Sequence, residues 1–447
     1  MWWRAPWLQQ RQALLGLAVF DALVIVGAYN ALFWQRFDRW AGVTGSVATL
    51  VLIWLTLSYL LGRYSQRNTD KRFWSIGWVA AVVTAITMLA VWLGLARDPR
   101  ALPDFVLPLL GGTAALSVLA ERSIDHQASQ VSHWLLLVSE DEGVVVHREL
   151  LRQGESNRLN IDICHCPKQA LEVLTQNGSR EGIALGKRLE LTDQLVQALL
   201  QQRNLGQPVL DLVDWCEWHL QRVPPELLSS QWLLLAEGFR LRPGCGGWRL
   251  KRLGDIVVAG FLLTITSPLL LLAGMLIKLE DGGPMLYSQI RTGLYGQPFR
   301  IWKLRSMRQV AEQKGVSWAS RHDPRITKVG NYLRRLRLDE LPQLVNVLSG
   351  EMSLIGPRPE RPEFEIRLEK VIPHYRVRHW IRPGLSGWAQ VCFPYGASID
   401  DSRSKLSFDL YYLRNFSLWL DVLILLKTVR LVARAQGALP QQRPEAR

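Results

Sequence analysis

Cysteine is scarce in this chain of 447 residues, and the little there is forms no recognisable framework. An odd number of cysteines without regular spacing excludes the disulfide scaffold of a small secreted domain, so we expect reduced thiols in the cytoplasm. Cys164-His165-Cys166 lacks a second pair of ligands at a spacing usual for zinc, which favours ordinary residues in or beside a strand. The five cysteines are Cys164, Cys166, Cys216, Cys245 and Cys392.

Two familiar motifs are absent as well. No Gly-x-Gly-x-x-Gly follows the first strand predicted in the middle of the chain, where Glu140-Asp141-Glu142-Gly143 stands instead. Three acids would repel a pyrophosphate, so we expect no dinucleotide site there. No small-residue cleavage pattern follows the first apolar run before Trp34-Gln35-Arg36, and that run is too long for a signal peptide, which argues against a cleaved leader.

Acidic residues are too few to balance the basic ones, and the net charge is +14. The basic residues lie mainly outside the apolar runs, as expected of a protein that sits on anionic lipid. A basic balance is also typical of proteins that bind nucleic acid or a phosphorylated substrate. The apolar runs make nucleic acid the least favoured of these partners.

Long apolar runs fill the first 120 residues or so, and each approaches the ~20 residues that a membrane-spanning helix needs. Basic residues cluster before the first run and between the second and third, which places both ends of this segment in the cytoplasm. We therefore predict a transmembrane segment of four helices over residues 1–130. Its spans run about Leu14–Trp34, Val43–Leu61, Ile76–Ala96 and Ala101–Ala120.

The middle section, residues 131–246, has the pattern of a soluble domain. His133–Ser139 and Trp232–Ala236 are short continuous apolar runs typical of buried strands, and Leu191–Gln202 has a helical pattern. Alternating strands and helices predict a Rossmann-like α/β domain with a parallel sheet, without the nucleotide fingerprint. A structural, dimerising or regulatory role is the interpretation we prefer.

A fifth apolar run, Ile256–Ile277, carries Ser267-Pro268 at its middle, where proline kinks or breaks a helix. Basic residues flank both ends, so positive-inside logic puts both ends on the cytoplasmic side. Each half is about 16 Å long at 1.5 Å per residue, roughly half of a hydrocarbon core. We predict a re-entrant helix–break–helix over residues 254–279, and the alternative is an ordinary kinked fifth span.

The chemistry-bearing residues follow this run. Guanidinium groups bind phosphate oxygens in a bidentate way, and carboxylates among them can hold Mg²⁺ or act as nucleophile and base. Each piece has a plainer alternative: Arg334-Arg335-x-Arg337 as a solvated basic face, and Asp339-Glu340 before Leu-Pro as a helix N-terminus. The candidate motifs are Lys303-Leu304-Arg305-Ser306-Met307, Asp323-Pro324-Arg325-Ile326-Thr327, Arg334 through Gln343, and Gly356-Pro357-Arg358-Pro359-Glu360.

Together and in this order, from Lys251 to about Val432, these motifs resemble the bacterial sugar transferase family, the polyprenyl-phosphate sugar-phosphotransferases. The four-span segment and the α/β section resemble its long-form members. The resemblance implies a mainly helical, monotopic catalytic module over residues 247–436, followed by a disordered tail over residues 437–447. It also implies the cytoplasmic face of a bacterial inner membrane, and a homodimer.

The same resemblance implies an activity. Asp339 would be the nucleophile and a Mg²⁺ ligand, and Glu340 its partner acid. The donor would be a UDP-sugar, with glucose or galactose as the sugar, and the acceptor undecaprenyl phosphate, in the first step of exopolysaccharide, capsule or O-antigen synthesis. Residues matched to substrate phosphate are Lys303, Arg305, Arg325, Arg334 and Arg358.

Three alternatives stay open at this point. Transfer could be direct, through a ternary complex without a covalent intermediate. The protein could be a catalytically silent membrane scaffold of a polysaccharide assembly complex, although an intact Asp339-Glu340 pair argues against it. Nucleic-acid binding would show as retention on DNA that falls steeply with salt.

Overall fold

The computed structural model describes residues 5–64, 78–86, 107–127, 132–153, 159–175, 180–236, 238–239, 245–308, 325–393 and 398–433. The chain divides into two compact units between Val131 and Ser132. Part of the predicted third span, Asp323-Pro324 and the predicted disordered tail lie outside the described residues.

The N-terminal unit is helical throughout its regular described structure. Helix α2 is long and apolar enough to cross a membrane, and α3 is apolar but only 17 residues long. The four-span topology stays a prediction, because parts of the third and fourth spans lie outside the described residues. The helices are α1 (Pro6–Gln9), α2 (Gln12–Phe37), α3 (Gly45–Leu61), α4 (residues 78–86) and α5 (Leu107–Gln127).

A buried carboxylate joins these helices. Asp21 on α2 pairs with Arg63 after α3, and it accepts hydrogen bonds from Tyr64 (2.6 Å) and Ser117 on α5 (2.5 Å). Arg63 Nε also donates to Glu121 on α5 (3.0 Å). A charge among apolar helices is tolerated only when it is paired, so this network fixes how α2, α3 and α5 pack.

The middle section contains the predicted parallel α/β sheet. All three strand pairings are parallel, in the order β2-β1-β3-β4, which confirms the predicted domain type. Helix α8 also confirms the predicted helical stretch. The elements are β1 (Ser132–Leu137), α6 (Glu140–Gln153), β2 (Leu159–Cys164), α7 (Pro167–Thr175), β3 (Gly182–Leu185), α8 (Asp193–Asn204), β4 (Val209–Asp211), α9 (Leu212–Leu220) and α10 (Ser230–Leu235).

The carboxyl ends of β1 and β3 are occupied by a side chain of the protein itself. Buried Glu142 accepts hydrogen bonds from the amides of Ser139 (3.0 Å), Lys187 (3.0 Å) and Arg188 (3.3 Å). A Cβ at Gly186 would lie 2.1 Å from Glu142 Oε2, so the close approach requires glycine. Dinucleotides bind at this edge of such sheets. An internal carboxylate there favours the prediction that the domain has no dinucleotide site.

The predicted strand Trp232–Ala236 is wrong. These residues belong mostly to α10, which begins after Ser229, whose hydroxyl accepts a hydrogen bond from the Trp232 amide (3.0 Å). Leu234 is 83 % exposed, so the run is not a buried element. A short apolar run does not distinguish strand from helix, and here the serine N-cap favours the helix.

The C-terminal module, residues 245–433, is mainly helical, as predicted. Strands β5 and β6 form an antiparallel pair, and β7 and β8 a short parallel pair. Its elements are α11 (Gly246–Asp281), β5 (Leu286–Thr292), β6 (Pro298–Leu304), α12 (Lys328–Arg335), α13 (Gln343–Ser349), β7 (Ser353–Ile355), α14 (Pro362–Val371), β8 (Gly384–Ser386), α15 (Trp388–Cys392), α16 (Ile399–Arg414) and α17 (Leu418–Ala433).

Helix α11 continues through Ser267-Pro268, so the predicted pair of separate helices is corrected to one helix of 36 residues. Pro268 lacks the amide that would bond the carbonyl of Thr264. The hydroxyl of Ser267 donates to that same carbonyl at 2.9 Å, so the orphaned acceptor is satisfied and helix can continue. The prediction that this helix enters and leaves one leaflet is not tested by these contacts.

Both ends of α11 are anchored on the same module. Near its start, Lys251 Nζ lies 2.7 Å from Asp421 Oδ2, and Asp255 accepts a hydrogen bond from Ser353 Oγ (2.7 Å). At its end, Asp281 pairs with Arg305. No residue between 260 and 272 is buried, although this stretch is apolar. The helix therefore presents an exposed apolar middle between two anchored ends.

The middle section packs against α16 of the C-terminal module through buried polar contacts. The Val223 amide donates to the carbonyl of Ser407 (2.8 Å), and Asn415 Nδ2 donates to Glu217 Oε1 (2.8 Å). Beside them, Arg222 pairs with Glu149 at 2.7 Å, with both side chains almost fully buried. These contacts make the middle section and the module one compact unit.

Replacing Arg222 with methionine should destabilise this unit. Glu149 would keep Arg152 (3.3 Å) but lose its nearer partner while staying buried. We expect a loss of about 3 kcal/mol, or roughly 6–12 °C in the thermal midpoint. Arg203→Met, at an exposed position on α8, is the matched control and should change little. Equal midpoints for both variants would contradict the prediction.

Candidate active site

Two adjacent acids, Asp339 and Glu340, lie in a tight turn between α12 and α13. The turn is a 3₁₀ helix, Leu338–Glu340, and it begins after Arg337, whose φ of +58° is in the left-handed region. Both acids are buried, with 9 % and 8 % of their surface exposed. Neighbouring side chains in a 3₁₀ turn point about 120° apart, so the two carboxylates meet different surroundings.

Glu340 is surrounded by cations. Its carboxylate accepts hydrogen bonds from Lys303 Nζ (3.3 Å) and from both terminal nitrogens of Arg358, and Arg337 Nη1 lies 3.6 Å away. Burial alone would raise the pKa of Glu340, but the charges of Arg358, Lys303 and Arg337 hold it well below its usual range. Glu340 is therefore ionised and its oxygens are committed to cations of the protein.

Asp339 has the opposite character. Its Oδ1 is buried and has no hydrogen-bond partner within the described parts of the chain. Burial and the charge of Glu340 raise the pKa of Asp339, while Lys303, Arg334 and Arg337 oppose that rise. A carboxylate with an uncommitted oxygen beside several cations is suited to attack phosphorus or to hold a metal ion.

Lys303 reaches Glu340 because β6 is tied to α13. Asn346 on α13 accepts a hydrogen bond from the Trp302 amide (3.3 Å), and its Nδ2 donates to the carbonyl of Arg300 (2.8 Å). Burial and the nearby arginines lower the pKa of Lys303, and Glu340 opposes that change. Glu340 thus favours the charged form of this lysine.

Arg358 is positioned by two other arginines, the buried Arg378 and the partly buried Arg291. Arg378 Nη2 donates to the carbonyl of Arg358 (2.9 Å), and Arg291 Nη1 donates to the carbonyl of Pro359 (3.1 Å). Asp409 on α16 in turn pairs with Arg378 at 3.1 Å. Fixing these carbonyls fixes the Pro357-Arg358-Pro359 segment and aims the Arg358 guanidinium at Glu340.

The structure brings together most of the residues predicted from the sequence. Lys303, Arg358 and Arg334 accompany the two acids, as the bonds and charges above show. Arg305 instead pairs with Asp281 at the end of α11. Its expected role at substrate phosphate stays a prediction. Arg325 lies beside the bridge between Met307 and Ile326, where its carbonyl accepts from the Arg308 amide (2.9 Å).

Sequence reasoning missed the contributions of Arg337, Arg291 and Arg378. Arg337 belongs to the basic motif Arg334-Arg335-x-Arg337, in which the sequence does not show which arginine reaches the acids. Its left-handed backbone conformation cannot be recognised from the sequence, because residues other than glycine adopt it only rarely. Arg291 and Arg378 act through backbone carbonyls, and no residue type marks a carbonyl that needs a donor.

The site fits Mg²⁺ held by one protein carboxylate. Among the described residues, no group of three or more His, Cys, Asp or Glu side chains could hold a metal ion. Mg²⁺ is commonly bound by one or two carboxylates together with substrate phosphates. Asp339 Oδ1 is the oxygen that fits this role, because the oxygens of Glu340 already bind Lys303 and Arg358.

An ionised acid, a second acid with an uncommitted oxygen and several cations form a site suited to phosphate chemistry. The sequence profile of the family described as bacterial sugar transferase matches residues 247–435. A Caulobacter vibrioides protein, named UDP-glucose:undecaprenyl-phosphate glucose-1-phosphate transferase, is 42 % identical over 228 residues, 51 % of this chain and 84 % of its own. The chain belongs to the bacterial sugar transferase family.

Two other relatives share the C-terminal module. An Aeromonas hydrophila protein, named UDP-N-acetylgalactosamine-undecaprenyl-phosphate N-acetylgalactosaminephosphotransferase, is 51 % identical over 42 % of this chain and 45 % of its own. An Escherichia coli (strain K12) protein, named UDP-glucose:undecaprenyl-phosphate glucose-1-phosphate transferase, is 42 % identical over 40 % of this chain and 39 % of its own. The matches thus span less than half the length of these two relatives.

The two acids should respond oppositely to neutralisation. Glu340→Gln removes the counter-charge of Lys303 and Arg358, so we expect a loss of about 3 kcal/mol. Asp339→Asn removes a buried charge that repels Glu340, so we expect a gain of about 1 kcal/mol. The pKa of folded Asp339 is raised, so its ionisation at high pH costs the folded state stability. The stability gained through Asp339→Asn should therefore be larger at pH 8 than at pH 5.

Thermal unfolding of the purified chain, without substrate or metal, measures both effects. Glu363→Gln, a change at an exposed acid of the same module, is the control for loss of one negative charge. A stabilising Glu340→Gln, or a destabilising Asp339→Asn at pH 8, would contradict the assignment of the two acids.

Proposed function

We propose that this protein transfers a sugar-1-phosphate from a UDP-sugar to undecaprenyl phosphate at the cytoplasmic face of a bacterial inner membrane. The observation that carries the proposal is the buried, uncommitted oxygen of Asp339 beside a Glu340 held by Lys303 and Arg358. Its family and the names of its relatives support the same reaction. The product would start an exopolysaccharide, a capsule or an O-antigen.

In the proposed reaction, Asp339 attacks the sugar-bearing phosphorus. A bond forms between its carboxylate oxygen and that phosphorus, and the bond to the bridging oxygen breaks, so UMP leaves with the electron pair. An oxygen of undecaprenyl phosphate then attacks the same phosphorus, and the carboxylate of Asp339 is released. This sequence is covalent catalysis in two displacements.

The surrounding side chains serve charge and position. Arg334 and Arg337 lie near enough to lower the pKa of Asp339, so they favour the anion that attacks. Arg358 and Lys303 place N–H donors where the phosphate oxygens of the donor would gain negative charge during the displacement. Mg²⁺, when bound at Asp339, would neutralise part of the charge of the diphosphate.

The donor sugar is proposed from the relatives. The sequence led us to expect glucose or galactose, and the 42 % identical relatives carry glucose in their names. The relative that is 51 % identical is named for N-acetylgalactosamine. We therefore propose UDP-N-acetylgalactosamine as the first donor to test, with UDP-glucose and UDP-galactose beside it.

Membrane attachment through α11 belongs to the same proposal. Its exposed apolar middle contains Pro268 and lies between ends anchored on one module, which favours a helix that bends in one leaflet and returns to the same side. This would hold the site near lipid headgroups, where a soluble donor meets a lipid-borne phosphate. The re-entrant path, the four spans and the homodimer stay predictions.

Release of UMP by the purified full-length chain tests the proposal. UDP-sugars are supplied one at a time with undecaprenyl phosphate and Mg²⁺, and Asp339→Asn is the inactive control. We expect release with one of the sugars, lost in the variant and on chelation of the metal. Full release by a folded Asp339→Asn, or none with any UDP-sugar, would contradict the proposal and favour the scaffold interpretation.

Arg337→Asn should move the acid limb of the pH profile to higher pH. Removing a cation near Asp339 raises the pKa of this carboxyl, so the attacking anion forms only at higher pH. Asparagine tolerates the left-handed backbone of this position. kcat/KM for UMP release, measured from pH 5 to 9, should fall most at the acid end.

The matched control is Arg335→Asn, a change at an exposed residue two positions earlier. Its profile should coincide with that of the unaltered protein. An unshifted acid limb in Arg337→Asn, or an equal shift in both variants, would contradict the assigned role of Arg337.

A further inference from the structure

A pocket of the C-terminal module lies at the first turns of α11, and neither Asp339 nor Glu340 lines it. Two arginines and two tryptophans converge there: Arg252 and Trp248 from α11, and Arg382 and Trp380 from the segment before β8. The proposed reaction uses none of these four side chains. Their chemistry therefore needs its own account.

The two guanidinium groups lie close together. A Cβ at Gly350 would be 3.3 Å from Arg252 Nη2 and 3.9 Å from Arg382 Nη2, so these nitrogens are within about 7 Å of each other. The Arg382 guanidinium lies over the Trp248 ring, 4.6 Å from its centroid. Stacking of this kind holds the planar group while leaving its N–H edge available.

The positive charge of the pair is not neutralised by an ion pair. Arg252 donates to the carbonyls of Val347 and Leu348, which are uncharged acceptors. In the described ranges of the chain, the Arg382 guanidinium has no hydrogen bond or ion pair. Burial and the charge of Arg252 lower the pKa of Arg382, and Asp255 opposes this change.

The neighbouring charges do not change this balance. The Asp255 carboxylate accepts bonds from Ser353 Oγ (2.7 Å) and the Leu354 amide (3.1 Å). Lys251, which also lines the pocket, pairs with Asp421 at 2.7 Å. One negative charge thus faces two arginines, and the pocket keeps a net attraction for an anion.

The position of the pocket indicates which anion. Immediately after Asp255, α11 presents exposed apolar side chains, including Val257 (61 % exposed) and Phe261 (64 %). If α11 enters the membrane there, as the proposed function holds, the pocket lies at the level of the lipid headgroups. Trp380, which is 42 % exposed, fits the same level, because tryptophan is enriched at membrane interfaces.

We propose that Arg252 and Arg382, backed by Trp248, bind the phosphate headgroup of an anionic membrane lipid. Guanidinium groups form paired, charge-assisted hydrogen bonds with phosphate oxygens. The site is separate from the one at Asp339. The site would bind the phosphate group, which anionic phospholipids and undecaprenyl phosphate share. The proposal rests on the proposed membrane entry of α11.

Lipid retention by the full-length protein tests this site. The chain is placed in nanodiscs of phosphatidylcholine with added phosphatidylglycerol or undecaprenyl phosphate, then transferred to neutral detergent, and bound lipid is counted by native mass spectrometry. Arg382→Gln should weaken retention at least about tenfold. The control Arg249→Gln changes an exposed arginine of the same helix that does not line the pocket, and it should retain lipid normally.

The outcomes separate the sources of phosphate. Retention of both lipids, lost in Arg382→Gln, supports a general headgroup site, and selective retention of undecaprenyl phosphate supports a site for the acceptor. Equal retention in Arg382→Gln and Arg249→Gln, at unchanged thermal midpoints, would overturn the proposal. Displacement of the lipid by millimolar inorganic phosphate would show a free-anion site and overturn its lipid part.

Two further arms keep the test decisive. Trp248→Leu removes the stacking surface without removing charge and should also weaken retention, which covers the case of an unfolded Arg382→Gln. Retention is measured without UDP-sugar, so it does not depend on UMP release. If Arg382→Gln loses lipid while the unaltered protein releases no UMP, the lipid site is supported and the proposed function is contradicted. If the unaltered protein releases UMP and Arg382→Gln retains lipid normally, the lipid site is overturned and the proposed function stands.

Discussion

The ion pairs of Glu340 with Lys303 and Arg358 are the interaction on which the site depends. They join β6, the turn before α13 and the Pro357-Arg358-Pro359 segment around one buried carboxylate. Because Glu340 takes the cations, Asp339 is left with an oxygen that binds nothing in the described structure. Adjacent acids of one turn thereby acquire different chemistry from their partners, as environment sets the character of paired carboxylates elsewhere.

Support for this arrangement extends outward in layers. Arg378 holds the carbonyl of Arg358, and Asp409 on α16 holds Arg378. The same helix receives the middle section through the carbonyl of Ser407. In the α/β domain, Glu142 occupies the sheet edge at which dinucleotides bind in other domains of this type. The domain packs on α16, the helix whose Asp409 pairs with Arg378. In this structure the domain contacts α16 through Val223 and Glu217.

Much of this could be read from the sequence, and the failures have physical causes. The resemblance to the bacterial sugar transferase family, carried by charged motifs in fixed order, pointed to Asp339, Glu340, Lys303 and Arg358, and the fold brings these residues together. Arg305 has the same residue type and pairs with Asp281, a partner that the sequence alone does not reveal. The parallel sheet followed from alternating strands and helices, whereas a five-residue apolar run misled because length did not separate strand from helix.

Covalent attack by Asp339 is tested most directly by the mass of the peptide that contains this residue. The full-length chain is incubated with Mg²⁺ and a UDP-sugar from which it releases UMP, without undecaprenyl phosphate, and the peptide is then weighed by mass spectrometry. We expect one sugar phosphate attached to Asp339, none on Glu340, and loss of the adduct when undecaprenyl phosphate is added. An adduct on Glu340, or UMP release that requires the acceptor and leaves the peptide unmodified, would contradict this expectation.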